Sequence, residues 1–503
     1  MNQQSEVSDD EVGLPQWLSF LSVTLAASVY AAAWTLPNAV LPQMQGDLAV
    51  SLDQISLVVT ATVVAGAVGI PLTPWLRQRL GTKRLLITAL SLFSLTSIMV
   101  ASVNSLEEVL LWRICSALAG SPIIALSQAV TMDTFPLSKR PLAFSIWSVG
   151  LAAGWVFAPT IGSWLADLVS WRLTFLSVAP FGAMALACCA MFMPAENTSG
   201  KAKLDWTGFL TLAIALTMAQ TVINQGQHLD WFNSTEIPIL VAVGLLSFYL
   251  YIVHTIYCKE PFLNWQIFKD RNLVLGLLIT MVYGYIGLVP MVILPTMMEE
   301  MRGLEVFTTG LLVLPRGISN IIFMLVAGYF ASRCDPRLLL AGGLATFAAT
   351  SLYMAQYNLN IGVADILWPT IIQGASMAFI WVPAMSLMYA TLKPHLRTSG
   401  ATMVSLTYNL SSSFGVALAV IVYSRSSDIN RSELSAFIEP ANKIVQSSGI
   451  ISDFSSSAQL ASVASEISLQ AAAISYANVF WLLAMSAVVV LPLTFFQRRP
   501  AST

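Results

Sequence analysis

Charge is scarce in this chain. Of 503 residues only 10% are Asp, Glu, Lys or Arg, while 56% are hydrophobic. A soluble domain carries about 25% charged residues, so a chain of this size could not cover its surface with so few ions. The net charge of −2 offers no basic patch to nucleic acid or another polyanion. Histidine is scarcer still: His228, His254 and His395 are the three. With no Walker-type phosphate loop either, the pattern speaks against a membrane-embedded enzyme and against ATP drive. The five cysteines, Cys115, Cys188, Cys189, Cys258 and Cys334, have no metal-ligand spacing, so no disulfide, zinc site or other cofactor is expected. No filter loop or charged ring marks a channel. Met1 to Glu11 lacks a basic n-region, so no removable signal peptide is expected.

What the chain has instead is long apolar runs. About 20 apolar residues take a helix across a bilayer, and fourteen such runs occur. Six lie near 18–43, 55–76, 83–103, 107–129, 142–165 and 172–193, and two more near 206–225 and 236–257. The last six lie near 274–297, 309–332, 337–355, 364–388, 401–423 and 477–496. Tryptophans such as Trp17, Trp75, Trp164, Trp231 and Trp368 cluster near their ends, as an aromatic belt does. The predicted class is an all-α polytopic membrane protein. If the N-terminus is cytoplasmic, seventeen of the 24 basic residues fall on the cytoplasmic side and four on the other. That asymmetry is the positive-inside rule, and with an even number of spans it puts both termini in the cytoplasm. The outer loop at 424–476 is long, and Leu434, Phe437, Ile438, Leu460, Val463 and Ile467 suggest short amphipathic helices in it.

The chain also repeats itself. Leu41-Pro42-Gln43-Met44 returns as Leu294-Pro295-Thr296-Met297, and Pro74-Trp75-Leu76-Arg77-Gln78-Arg79 as Gly328-Tyr329-Phe330-Ala331-Ser332-Arg333, at offsets of 253 and 254 residues. Internal repeats of this kind are typical of secondary transporters, with a substrate site between the halves. The organisation read from this is a cytoplasmic tail at 1–17, a six-span half at 18–193, two inserted helices within 194–257, and a second six-span half at 258–503.

Further motifs fall in register with these spans. Pro71 to Gly81 follows span two; Leu126-Ser127-Gln128 with Asp133, Pro136, Lys139 and Arg140 ends span four. Gly154, Ala158-Pro159 and Gly162 lie in span five, Pro261-Phe262 with Ile267 to Asn272 precedes span nine, and Leu314-Pro315-Arg316-Gly317 lies in span ten. In this set and order the chain resembles the major facilitator superfamily, and within it the fourteen-span drug:proton antiporters of the EmrB type. The resemblance implies a major facilitator fold of two six-helix halves plus two helices in the inner membrane. It implies export of a small lipophilic or amphiphilic substrate by alternating access, coupled to protons, with a periplasmic adaptor protein and an outer-membrane channel as partners. Departures are specific. The acidic residue usual in span one reads Ala33, the loop motif has Pro74 and Gln78, and Ser116 and Ala117 follow Arg113. The first removes the acid through which proton coupling in span one would run. An uncoupled facilitator, or an exporter of one metabolite such as a siderophore or a weak acid, is the alternative, with a membrane enzyme the rival class.

The residues themselves suggest roles. Gly150, Gly154, Ala158 and Gly162 repeat every four residues and so share one helix face; such small residues let helices approach closely, and Pro159 loosens the helix there. This reads as a hinge-like contact or as plain tight packing. A buried Arg113 needs water or accepting groups and is the leading gating or coupling residue, with Arg316 and Asn320 placed to complement it from the other half. Tyr30, Trp34 and Asn38 form an aromatic and amide stripe in span one. Gln128, Gln373, Tyr408 and Asn409 add polar groups to apolar spans, and together with Asn320 all eight are candidates for contact with substrate. No Asp or Glu lies in the middle of a span. Asp133, Asp167, Glu299, Glu300 and Asp365, near the ends, are the candidate proton carriers, Asp133 foremost; as an end charge Asp133 is expected to pair with Lys139 or Arg140.

Overall fold

Apolar runs of this length cannot leave their backbone unsatisfied in lipid, and the helix satisfies every N–H and C=O within itself. The structure, a computed structural model, describes residues 12–195, 203–258, 261–438 and 457–498. Lys201, Lys259, Lys443, Arg499 and most of the tail at 1–17 lie outside it. Among the described residues there is no strand, and fourteen helices are long and apolar enough to span. They are α1 (Leu14–Leu48), α2 (Asp53–Leu80), α3 (Thr82–Ala101), α4 (Leu106–Thr134), α5 (Arg140–Leu168), α6 (Trp171–Phe192), α7 (Trp206–Gln225) and α8 (Glu236–Tyr257). The second set is α9 (Arg271–Arg302), α10 (Thr308–Ala331), α11 (Pro336–Met354), α12 (Val363–Ala390), α13 (Pro394–Ala436) and α14 (Ser457–Phe496).

The repeat seen in sequence is a repeat of packing. In the first half α1 packs on α5, α2 on α4 and α3 on α6; in the second α9 packs on α13, α10 on α12 and α11 on α14. The halves meet where α5 lies against α10 and α12, and α4 against α13. Helices α7 and α8 pair with each other beside α2 and α13, held by Gln220 Nε2 donating to Asn409 Oδ1 (2.9 Å) and Gln225 Nε2 to Thr60 Oγ1 (3.0 Å).

The small-residue face of α5 packs within its own half. A Cβ at Gly154 would overlap the Ser28 carbonyl of α1, and one at Gly150 would meet the Thr24 methyl. The seam between halves uses glycines of α10 instead: Gly317 sits against Val156 and Gly328 against Ser145, both on α5. Gly154→Leu therefore has no free space to fill. Overpacking of this kind costs about 1–3 kcal/mol or more, so we expect a lower yield and a lower detergent melting temperature. A fully stable Gly154→Leu protein would show that α1 and α5 can separate freely.

The outer loop differs most from expectation. In place of separate amphipathic helices, α13 runs on to Ala436 and α14 begins at Ser457. The two extensions support each other: Tyr423 and Tyr476 pack with ring centroids 4.5 Å apart, Asn430 bonds Ser475, Asn478 bonds Ser426, and Ile438 and Ile467 cover Val463. Hydropathy ends at the bilayer edge, but a helix with a partner need not. The central stretch, 439–456, lies outside the described residues.

Candidate functional site

Between the halves lies a cavity with about 1480 Å³ of empty space, its open mouth included. From the first half its wall takes Tyr30 and Trp34 of α1, one turn apart, Gln128 of α4, and Trp147 and Trp155 of α5. From the second half it takes Tyr283 of α9, Arg316 and Asn320 of α10, Trp381 of α12, and Tyr408 and Asn409 of α13. The aromatic rings pair off. Trp155 stacks on Tyr408 at 5.5 Å and 13°, a contact that crosses between the halves, and Tyr283 stacks on Trp381 at 4.5 Å. Such a wall, mostly apolar with a few oriented polar groups, is what a small-molecule site needs.

Seven of the residues singled out in sequence thus line one cavity: Tyr30, Trp34, Gln128, Arg316, Asn320, Tyr408 and Asn409. Two substrate candidates do not. Asn38 is exposed, one turn further along α1 than Trp34. Gln373 is fully buried behind the wall, where its Oε1 accepts from Arg316 Nε (3.1 Å) and its amide donates to Ser351 Oγ (3.3 Å). It orients Arg316 and does not border the space.

Arg113 is also absent from the wall. It is 3% exposed, and both terminal nitrogens lie 3.5 Å from one carbonyl, that of Ala33, with the Phe175 ring 5.5 Å away. Its Nε has no hydrogen-bond partner. The accepting carbonyl anticipated for it is there, but weakly, and Arg113 does not meet Arg316. Gly154 and Pro159 of α5 are likewise outside the wall.

At the end of the bundle rich in Lys and Arg the halves are bound together. Tyr389 stacks on Phe144 at 5.6 Å and donates to Gln128 Oε1 at 3.0 Å. Further out, Asp133 bridges Arg77 (2.9 Å) and Arg397 (2.8 Å), and Arg77 also reaches Thr398 Oγ1 (2.5 Å). This corrects the pairing drawn from sequence. Arg140 instead caps the end of α4, donating to the Met132 and Phe135 carbonyls. The four other end carboxylates stay within single halves. Gln43 bonds Asp167, Thr309 bonds Glu299, Tyr423 and Tyr476 both donate to Glu300 Oε2, and Asp365 accepts from the Gly362 amide.

Two histidines do find carboxylates in space: His254 Nε2 lies 2.8 Å from Asp205 and His228 3.2 Å from Asp53. Asp205, His254 and Cys258 form a trio of metal-ligand type. The Asp205 carboxylate is already occupied, accepting from the Gly208 amide at the start of α7 and from the Phe262 amide, so the trio reads as a helix cap tied to a histidine.

Comparison with known proteins agrees with this architecture. The sequence profile described as Major Facilitator Superfamily matches residues 23–426. The chain belongs to the major facilitator superfamily. It is 28% identical over 491 residues to a probable multidrug resistance protein, EmrY, of Escherichia coli (strain K12), covering 96% of each chain. It is 27% identical over 491 residues, again 96% of each, to the multidrug export protein EmrB of Haemophilus influenzae. The fatty acid resistance protein FarB of Neisseria gonorrhoeae is 25% identical over 425 residues, 84% of each. Among solved structures, the proton:xylose symporter XylE superposes with a TM-score of 0.64 at 12% identity, over 96% of each chain.

The aromatic cavity residues that sequence reading missed are Trp147, Trp155, Tyr283 and Trp381. For two of them a signal existed: Trp147, Leu151 and Trp155 recur every four residues on α5, beside the glycine stripe that drew attention, and all three line the cavity.

Proposed function

We propose that this transporter exports small lipophilic or amphiphilic compounds by alternating access of the central cavity, drawing on the proton gradient. It is read as a carrier and not an enzyme. The observation that carries the reading is an aromatic cavity walled by both halves of a major facilitator fold; the multidrug export named for the relatives EmrB and EmrY agrees with it. The charge asymmetry supports an inner-membrane orientation with both termini cytoplasmic. On that orientation the halves are joined at the cytoplasmic end, which is the outward-facing state. Neutralising Asp133 would remove the negative charge shared by Arg77 and Arg397 and weaken that end, which makes it our candidate for the coupling step. The paired extensions of α13 and α14 stand on the outer side, where a periplasmic adaptor leading to an outer-membrane channel would dock.

The test is direct. Purified protein in liposomes should accumulate a lipophilic dye or drug against its gradient when a pH step is imposed, and deleting the gene should raise sensitivity to at least one such compound. Unchanged sensitivity across a broad panel, with no uphill movement in liposomes, would overturn the reading.

A further inference from the structure

The cavity has one formal charge. Arg316 is the only ionisable Lys, Arg, His, Asp or Glu side chain among the described residues that line it. The guanidinium is 4% exposed and is held entirely by neutral groups: Gln373 Oε1 at 3.1 Å, the Gly287 carbonyl at 3.1 Å and the Ile286 carbonyl at 3.4 Å. A guanidinium has five N–H donors, so these three bonds leave one on each terminal nitrogen. A buried cation with no counter-ion is unfavourable, and in a medium of low dielectric its field is poorly screened. The surrounding walls, with Trp155, Tyr283, Trp381 and Tyr408 close by, suit a flat apolar body.

Resting on the transport reading above, we propose that the cavity selects organic monoanions: an aromatic or aliphatic body carrying one carboxylate, which pairs with Arg316 while the body lies among the stacked rings. The charge acts as a filter in both directions. A carboxylate completes the empty donor sites of Arg316 with a charge-assisted, two-point contact. An organic ammonium of the same shape meets an uncompensated positive charge and is rejected. Gln373 is the positioning residue. Its amide, fixed by Ser351, holds the Nε edge of the guanidinium against the second half, so that the terminal nitrogens remain for the ligand.

The experiment uses the full chain in detergent and three probes with one aromatic body: 2-naphthylacetate, its primary amide, and 2-naphthylethylamine. Binding is read by quenching of tryptophan fluorescence, since Trp34, Trp155 and Trp381 stand in the wall. The acetate should bind about tenfold or more tighter than the amide, the range expected of a hydrogen bond to a charged group, and the amine weakest. Arg316→Gln should remove the acetate's advantage over the amide, with its melting temperature reporting that the fold persists. Arg316→Lys, which keeps the charge, should retain part of the preference. A wild-type protein that binds amide as tightly as acetate, or a preference that survives Arg316→Gln, overturns the proposal and leaves the transport reading standing. Chloride displacing the acetate at equal concentration overturns it as well, by making Arg316 an inorganic-anion site. If none of the probes binds, the proposal falls, while the transport reading is decided separately by the drug panel and the liposome assay.

Discussion

Asp133→Asn should loosen the halves at their basic end and shift the protein toward its other state. The carboxylate, on α4, is the acceptor shared by Arg77, from the end of α2, and Arg397, from the start of α13, so the substitution removes the ion pair with Arg397 that ties the first half to the second and leaves the Arg77–Thr398 hydrogen bond in place. All three side chains are partly exposed, which limits each ion pair to about 0.2–1 kcal/mol. Only Asp133–Arg397 joins the halves, so its loss amounts to at most about 1 kcal/mol, a change of up to about fivefold in the ratio of two states. The measurement is maleimide labelling of Ser148→Cys, a cavity position, in a background lacking the five native cysteines. Labelling from the basic side should rise in Asp133→Asn, and uphill transport should fall. If labelling from that side does not change, Asp133 is only a solvated end charge and the coupling role given to it fails.

Arg113→Leu should yield a protein that is more stable and transports less. Arg113 is buried, its Nε is unpartnered, and its contacts are one carbonyl and one ring. Removing one partner of a buried ion pair is costly because the other charge is stranded; among the contacts of Arg113 there is no carboxylate to strand. Replacing buried ionic groups by apolar ones of similar volume is often neutral or stabilising by about 1–4 kcal/mol. A rise of several degrees in melting temperature is therefore expected, with transport reduced at least about tenfold, since strain of this kind is retained at functional sites. Arg113→Lys should rescue transport poorly, because the two terminal nitrogens share one acceptor in a way an ammonium cannot copy. Normal transport by Arg113→Leu would end the functional claim, and a lower melting temperature would make the residue a structural one. The geometry also explains why the departure at Ala33 matters: its carbonyl is the group Arg113 touches, so an acid at position 33 would stand beside this guanidinium.

How far the sequence was legible depends on range. Spans, their number and the asymmetry of basic residues are local properties of composition, and about 20 apolar residues can be counted without knowing their neighbours. The twofold repeat was equally legible, because Leu41-Pro42 and Leu294-Pro295 sit at matching points of α1 and α9, and the packing repeats with them. Seven residues of the cavity wall were legible because polar or aromatic side chains in an apolar helix need a reason to be there. Trp381 and Tyr283 gave no such signal, since an aromatic ring in a membrane helix suits lipid, core or ligand equally well.

What only the tertiary structure decided was who meets whom. Asp133 lies six residues from Lys139 in sequence, yet it pairs with Arg77 and Arg397, 56 and 264 residues away, because helix ends from three spans converge there. Gln373, read as a substrate contact, is a buried support behind Arg316, while Arg316, read as a gating partner of Arg113, lines the cavity. Arg113, for which the sequence left water or accepting carbonyls open, lies against the Ala33 carbonyl of α1. Sequence alone determined that the chain crosses the membrane fourteen times in two related halves, because the cost of unsatisfied backbone in lipid depends only on the segment itself. The cavity, its lone positive charge and the latch beneath it depend on groups hundreds of residues apart, and those are settled only when the helices pack.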